Sequence, residues 1–155
     1  MKRGFFEIGI YHIKNEINIG TLWRSAYQLG ASGIFTIGKR YKKQASDTYK
    51  ATRHIPLRHY LDIDEMLSNR PTGARLIGVE MGGQVLSTFN HPQQAIYLLG
   101  AEDHGLPDRI IEQCNSIVSL EAINTLSYNV AIAGSLIMYD RCFPNKNQRI
   151  NNGKK

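Results

Sequence analysis

The sequence has only two cysteines and no long hydrophobic run, and both absences limit what the chain can be. Cys114 and Cys142 lie 28 positions apart with no CxxC pair, so neither a disulfide framework nor a zinc site is predicted. Apolar runs such as Val130–Ala133 are far shorter than the ~20 residues that span a bilayer. Glu7 interrupts the apolar stretch near the basic N-terminus, and no small-residue cleavage site follows. We therefore expect a cytoplasmic protein with reduced thiols, no membrane span and no metal site.

The size and composition are those of one ordinary domain. The chain has 155 residues, of which 42% are hydrophobic and 21% are charged, and a length of this order leaves little room for two cores. The last residues are polar and basic. We expect one domain over residues 1–142 and a basic, disordered tail over residues 143–155.

The net charge of +6 is unevenly distributed. Seven basic residues and one acid lie between Lys39 and Tyr60, and five basic residues and no acid lie between Arg141 and Lys155, whereas Leu61–Glu121 has nine acids and three bases. Tyrosines interleave the first basic segment, as expected where phosphates are neutralised and bases are stacked. A solvated loop and a frayed tail would explain each charge run equally well. The presence of two such segments favours RNA or DNA as a partner.

Short apolar segments alternate with helical patterns, which predicts an α/β fold with a parallel sheet. The predicted strands are Phe5–Tyr11, Ile34–Ile37, Leu76–Val79 (closed by Met81-Gly82-Gly83), Ile96–Leu99 and Ile117–Leu120, with an extended piece at Ile55–Leu57. The predicted helices are Thr21–Leu29 (with Asn18 as its cap and Gly30 after its end), Asp47–Thr52, Leu61–Asn69, a helix from Pro107 at its first position to Gln113, and Leu126–Tyr139.

Ligands of such folds bind beyond the carboxyl ends of the strands, where this chain has three polar clusters. The first, Asn18–Arg24, contains an arginine that either clamps a phosphate near a helix N-terminus or is a surface residue. The second, Gly100–Gly105, is a tight turn after a buried strand, and its His104 has no neighbour at metal-ligand spacing. The third, Asn124–Asn129, precedes an apolar helix, and Ser127 or Asn124 as helix cap explains only part of it.

The helix predicted from Leu126 is apolar nearly all round, so it must be buried on more than one side. A second copy of the chain can supply the second side, which predicts a homodimer. A deeply buried central helix is the alternative.

Three motifs in this order resemble those of the SpoU/TrmH family, the SPOUT-class RNA 2′-O-methyltransferases. They are NxGxxxR (Asn18, Gly20, Arg24), LLGAEDHGLP (Leu98–Pro107) and LSYNVAIA (Leu126–Ala133). The resemblance implies a SPOUT fold whose C-terminal part is a trefoil knot. It also implies S-adenosylmethionine held in the knot, an obligate dimer and a ribose 2′-hydroxyl of RNA as the methyl acceptor. Transfer RNA is the first expectation and ribosomal RNA the second.

The resemblance also assigns site residues. Arg24 corresponds to the catalytic arginine, and the residues that orient it and the phosphate are Asn18, Glu102, Ser127 and Asn129. The cofactor, bound mainly by backbone, is expected at Val79, Glu80, Leu99, Gly100, Ser119, Leu120, Leu126 and Ser127. Where many relatives have Ile-Pro-Met, this chain has Ser119-Leu120-Glu121.

Because an arginine with a pKa above ~12 is rarely neutral, Arg24 either stabilises the developing alkoxide as a cation or loses its proton only in the bound complex. A noncatalytic RNA-binding protein with the same fold is the main alternative, and a DNA or protein methyltransferase is a weaker one.

Overall fold

The computed structural model describes residues 4–38, 54–101 and 104–144. These residues form strands and helices in alternation. The strands are β1 (Phe5–Tyr11), β2 (Gly33–Ile37), β3 (Leu57–Tyr60), β4 (Arg75–Val85), β5 (Gln94–Leu99) and β6 (Ser116–Ser119). The helices are α1 (Glu16–Gln28), α2 (Ile63–Asn69), α3 (Asp108–Ile111) and α4 (Val130–Cys142), and a short 3₁₀ turn covers Leu86–Thr88.

The six strands form one parallel sheet in the order β3-β2-β1-β5-β4-β6. The predicted α/β fold with a parallel sheet is therefore confirmed. Strands β1 and β5 are adjacent in the middle, with Ile10 of β1 paired with Leu99 of β5. The chain leaves β1 towards β2 on one side and leaves β5 towards β6 on the other. The two central strands thus flank the point where the strand order reverses, where such folds bind ligands.

Apolar side chains cover both faces of the sheet. Ile8 and Ile10 of β1 belong to the core beneath α1 and α4, whereas Tyr11 belongs to a second core with residues of α2 and α3. This two-sided burial explains why the strands are nearly continuous apolar runs. The connection after β1 leads to α1 on one face of the sheet, and the connection after β5 leads to α3 on the other face.

Helix α1 begins earlier than predicted. Asn15, not Asn18, is its cap, because the Asn15 side chain accepts a hydrogen bond from the Ile17 N–H at 3.0 Å. The predicted helix start at Thr21 with Asn18 as cap is therefore wrong, and Asn18 is a buried residue inside the helix. Gly30 follows the end of the helix with φ +80°, as predicted.

Helix α4 begins later than predicted. Asn129 is its cap, because the Asn129 side chain accepts from the N–H groups of Ala131 (2.9 Å) and Ile132 (3.2 Å). Neither Ser127 nor Asn124 caps α4, and residues 120–129 directly before it are not helical. The predicted start at Leu126 is wrong because a polar cap outweighs the apolar pattern that precedes it.

Three smaller differences are local. Strand β4 continues through Met81-Gly82-Gly83 to Val85, because an irregularity between Val79 and Gln84 lets both of its halves pair with β6. Pro107 is the cap of α3 rather than its first residue, and α3 ends at Ile111. Helix α2 begins at Ile63, because the Asp62 side chain accepts from the Glu65 N–H at 2.8 Å.

Some predictions fall outside the described residues: the helix at Asp47–Thr52, the site residue Glu102 and most of the tail over residues 143–155. Within the part of the chain that the structure describes, no helix has the length and apolarity needed to cross a membrane.

Candidate functional site

A cavity of about 490 Å³ lies beside the irregularity in β4 and at the carboxyl ends of β5 and β6. This volume is in the range of ligand sites of ~300–1,000 Å³. Three segments line it: Val79–Met81 of β4, the turn after β5 and the chain from β6 to the start of α4. The lining residues are Val79, Glu80, Met81, Leu99, Gly100, Ala101, His104, Gly105, Ser119, Leu120, Ala122, Asn124, Thr125, Leu126, Ser127, Tyr128, Val130 and Ala133.

All eight residues predicted to hold the cofactor line this one cavity. They are Val79, Glu80, Leu99, Gly100, Ser119, Leu120, Leu126 and Ser127. The parallel pairing explains their convergence, since Val79 of β4 is in register with both Leu99 of β5 and Val118 of β6. Three chain segments that are far apart in the sequence therefore meet at one edge of the sheet.

The turn after β5 is closed by backbone. The Gly105 N–H donates to the Ala101 carbonyl at 3.0 Å, and a Cβ at Gly100 would lie 2.4 Å from the carbonyl carbon of Gly105. Gly105 itself has φ +61°, a conformation that favours glycine. The cavity wall here has no room for a side chain at position 100.

The carboxylate of Glu80 braces this turn from β4. Its Oε2 accepts a hydrogen bond from the Leu106 N–H at 2.8 Å, and its Oε1 accepts from the Met81 N–H at 3.0 Å. A Cβ at Gly105 would lie 2.3 Å from Glu80 Oε2. Glu80 was predicted as a backbone contact, but in the structure its side chain links two walls of the cavity.

The segment between β6 and α4 forms the outer wall. The Glu121 carboxylate accepts from both the N–H (2.9 Å) and the hydroxyl (2.8 Å) of Ser87. These bonds from the backbone and then the hydroxyl of Ser87 lower the pKa of Glu121 below its usual value. The Tyr128 hydroxyl donates to the Glu121 carbonyl at 2.7 Å. Glu121, where this sequence departs from its resemblance, thus fastens the wall to the turn after β4.

Of the predicted catalytic set, the structure brings Asn18 and Asn129 together. Asn129 Nδ2 donates to Asn18 Oδ1 at 3.1 Å, across 111 positions of sequence. Ser127 lies nearby in the sequence and lines the cavity. Glu102 lies outside the described residues.

Arg24 does not line this cavity. It is exposed on α1, on the same helical face as Ile17, which is 59% exposed. Another face of α1 packs on α4, where the Ser135 hydroxyl donates to the Ser25 hydroxyl at 2.9 Å. Arg24 is therefore not among the residues that surround the cavity with Gly100 and Ser127 in one chain.

Ten cavity residues were not predicted. They are Met81, Ala101, His104, Gly105, Ala122, Asn124, Thr125, Tyr128, Val130 and Ala133. Most lie in the two polar clusters already singled out, so treating each cluster as one continuous wall would have found them. Within residues 4–38, 54–101 and 104–144, no group of three His, Cys, Asp or Glu side chains is placed to hold a metal ion.

A family model described as the SpoU rRNA Methylase family matches residues 6–139. An uncharacterized tRNA/rRNA methyltransferase of Archaeoglobus fulgidus is 22% identical over 142 residues, covering 88% of this chain and 63% of the relative. One of Mycobacterium tuberculosis is 21% identical, covering 84% of this chain and 43% of the relative. The chain thus spans about half of these relatives' lengths.

Solved structures share the fold. The SpoU methyltransferase AviRb from Streptomyces viridochromogenes, in complex with AdoMet, superimposes with a TM-score of 0.79 at 24% identity, covering 97% of this chain and 63% of that chain. A TrmH/SpoU tRNA modifying enzyme from A. aeolicus gives 0.77 at 17% identity, covering 99% and 78%. A third structure, described as giving insights into the 2-OH methylation of C/U34 on tRNA, gives 0.75 at 22% identity and covers 88% of both chains.

Proposed function

The chain belongs to the SpoU rRNA Methylase family, and from this premise we propose that it is an RNA methyltransferase that uses S-adenosylmethionine. One observation carries the proposal. The eight residues expected to hold the cofactor come from three separate segments and line one cavity. A fold kept only for binding RNA has no need for this convergence.

The cavity suits the cofactor in its shape and chemistry. Val79, Leu99 and Leu120 offer apolar walls to a flat base, and Ser119 and Ser127 offer hydroxyl groups. The tight turn at Gly100 exposes backbone in place of a side chain. When bound, S-adenosylmethionine supplies an activated methyl group and its own leaving group, so the protein has to position the acceptor and manage its proton.

The acceptor that we propose is a ribose 2′-hydroxyl, with transfer RNA as the first candidate and ribosomal RNA as the second. A neighbour described in terms of 2-OH methylation on tRNA is matched over 88% of its own length, without large unmatched extensions. The basic segment between Lys39 and Tyr60 supplies charge for a phosphate backbone. We propose that the cytoplasm is its location and that its C-terminal part forms a trefoil knot.

We assign to Arg24 one of two roles at the acceptor hydroxyl: it stays a cation that stabilises the developing alkoxide while the proton passes to water, or it loses its own proton in the bound complex and then takes the hydroxyl proton. A guanidinium stabilises an oxyanion and a neighbouring phosphate without itself being consumed. The amides of Asn18 and Asn129, linked at 3.1 Å, fix α1 against the start of α4. Ser127 would then face the acceptor from the cavity wall.

A homodimer completes this site. The exposed apolar residues Ile132, Leu136 and Tyr139 form one stripe along α4. Leu126, which lines the cavity, is 84% exposed, and Ile123 is 99% exposed, so exposed apolar side chains precede α4 as well as following its length. We propose that a second copy covers these side chains and that Arg24 of each subunit faces the cavity of the other.

Transfer of tritium from methyl-labelled S-adenosylmethionine tests the function directly. Label should enter RNA, and complete nuclease digestion should release it as a 2′-O-methylated nucleoside. Label in a methylated base would contradict the ribose assignment. Calorimetry that detects no binding of S-adenosylmethionine, together with tight binding of RNA, would favour a noncatalytic RNA-binding protein.

A further inference from the structure

His12, at the end of β1, has a backbone conformation that its surroundings must impose. It is a non-glycine residue with φ +52°, a conformation that is uncommon for L residues and clusters at functional sites. Its N–H donates to the Ile37 carbonyl at 2.9 Å, which holds the chain in this turn. The side chain is nevertheless exposed, so burial of the ring does not explain the strain.

The ring of His12 lies flat on a buried aromatic ring. It stacks on Tyr11 with centroids 4.1 Å apart and planes 16° from parallel. The Tyr11 hydroxyl in turn accepts a hydrogen bond from Arg109 Nη2 at 2.9 Å. Gly38 makes room for the imidazole, since a Cβ there would lie 2.4 Å from two of its ring atoms. The outcome is a planar, solvent-exposed ring that rests on Tyr11, whose hydroxyl is held by the Arg109 guanidinium.

This ring lies at the crevice where the strand order reverses. Ile10 pairs with Leu99, so His12 and Ala101 each come two residues after that pair. Ala101 lines the cavity described above. The sequence also continues from Gly38 directly into Lys39 and Arg40, and Lys14 follows His12 closely. An anionic polymer that reaches the cavity would therefore pass this ring.

We propose that His12, supported by Tyr11 and Arg109, is a stacking platform for one unpaired base of the RNA next to the methylated nucleotide. The inference rests on the proposed function, because it assumes that RNA is the substrate. Single-stranded RNA is recognised by stacking of splayed bases on His, Tyr or Arg planes. The platform would position the strand and take no part in methyl transfer.

The test compares four variants with the wild-type chain. RNA affinity is measured by fluorescence anisotropy with labelled unfractionated transfer RNA and, separately, ribosomal RNA, and S-adenosylmethionine affinity by calorimetry. We expect His12→Ala and His12→Gly to lose at least about five-fold in RNA affinity, the lower end for one stacked base. His12→Phe should stay within about two-fold, because the plane remains. Cofactor affinity should not change in any variant.

Two controls separate stacking from structure. His54 stacks on Tyr27 at 4.5 Å in the same way, but precedes β3 and so lies at the opposite edge of the sheet. His54 belongs to the basic segment but precedes β3, away from the strand ends beside the cavity, so His54→Ala should lose less RNA affinity than His12→Ala. His12→Gly should melt at a higher temperature than His12→Ala, since glycine adopts φ +52° without strain, although both bind RNA weakly.

The proposal is overturned if wild-type protein binds RNA and His12→Ala binds it equally well, or if His12→Phe loses as much as His12→Ala. In either case the methyltransferase assignment stands. Failure of the proposed function has a different signature, because the wild-type chain itself would then methylate neither RNA. If it also bound neither RNA, the platform would fall with it.

Discussion

Asn129 makes two kinds of hydrogen bond with one side chain. Its Oδ1 accepts from the N–H groups of Ala131 and Ile132 and so caps α4, whereas its Nδ2 donates to Asn18 of α1 at 3.1 Å. The same amide therefore fixes where the last helix begins and how that helix meets the first. Both effects converge at the mouth of the cavity.

Substitution of Asn129 can separate these two effects. Asn129→Ala removes the cap and the link to Asn18, and should lower the free energy of unfolding by about 1–2 kcal/mol. Asn129→Asp keeps the capping oxygen, and the Asn18 amide can turn to donate to it, so the loss should be about half as large or less. Urea unfolding measures both. Equal losses in the two variants would contradict the capping role.

The positions of most strands along the sequence could be predicted, because apolar runs buried on both faces are a local signal. The helix starts could not. Asn15 and Asn18 are equally good caps by composition, and only the tertiary contact of Asn18 with Asn129 puts Asn18 inside the helix. Leu126 fits an apolar helix pattern, yet it is 84% exposed, because the residues before Val130 form the wall of a cavity.

The candidate site also contains some features that could be predicted from the sequence and others that could not. The cofactor residues were assigned by resemblance, and they line one cavity because parallel pairing brings Val79 of β4 beside the ends of β5 and β6. The brace between Glu80 and Leu106 could not be foreseen, since it joins a side chain to a backbone group 26 positions away. Arg24 was assigned by resemblance alone, and the sequence gives no indication of which subunit's cavity it would serve.

The brace predicts that a methyl group at position 105 will damage the cofactor site. Gly105→Ala should lower cofactor affinity at least about ten-fold and reduce stability by about 1–3 kcal/mol, because the new Cβ meets the Glu80 carboxylate in a backbone conformation that alanine resists. Calorimetry and urea unfolding measure the two effects. Gly82→Ala is the matched control, since Gly82 has φ +84° but no atom within 4 Å of its Cβ position. It should lose stability without comparable loss of cofactor affinity.

Arg24→Ala should abolish methyl transfer while S-adenosylmethionine affinity stays within about two-fold, because Arg24 does not line its own subunit's cavity. Single-turnover transfer of labelled methyl groups measures the first effect and calorimetry the second. Arg24→Lys retains the charge but not the planar fork, so it should recover little activity. Near-wild-type turnover in Arg24→Ala would contradict every role proposed for this residue.

Mixing two variants with complementary defects tests the assignment of Arg24 to the other subunit, at a cofactor concentration low enough for Gly105→Ala alone to be nearly inactive. Arg24→Ala is co-refolded with Gly105→Ala at equal concentration, so that about half of the dimers combine one subunit of each. Each mixed dimer then has one complete site, and activity should recover to about a quarter of the wild-type value. No recovery, with mixed dimers verified by mass spectrometry, would contradict a site shared between subunits.

The end of α4 carries a pH-dependent contribution to stability. His91 shares hydrogen bonds with Tyr97 (2.7 Å) and Asp140 (2.8 Å), and Arg141 Nη1 donates to the same Tyr97 hydroxyl at 3.1 Å. Burial lowers the pKa of His91 below its ordinary value of 6.5, against the opposing effect of Asp140. Burial also raises the pKa of Tyr97 to about 12, so the phenol remains a neutral partner at neutral pH.

A histidine whose pKa is lowered by folding takes up its proton more readily in the unfolded chain. Its contribution is therefore complete above pH 6.5 and is lost as the pH falls below that value, with a slope of at most about 1.4 kcal/mol per pH unit. His91→Gln should be less stable than wild type at pH 7.5, and the difference should shrink as the pH falls towards 5. Glu7, whose pKa is raised by burial, changes stability with pH in the opposite direction. Its effect is the same in wild type and in His91→Gln, so it does not alter the difference between them. Urea unfolding at a series of pH values measures the difference, with His54→Gln as the exposed control. A difference that is constant with pH would mean that His91 contributes packing and hydrogen bonds but does not titrate with folding.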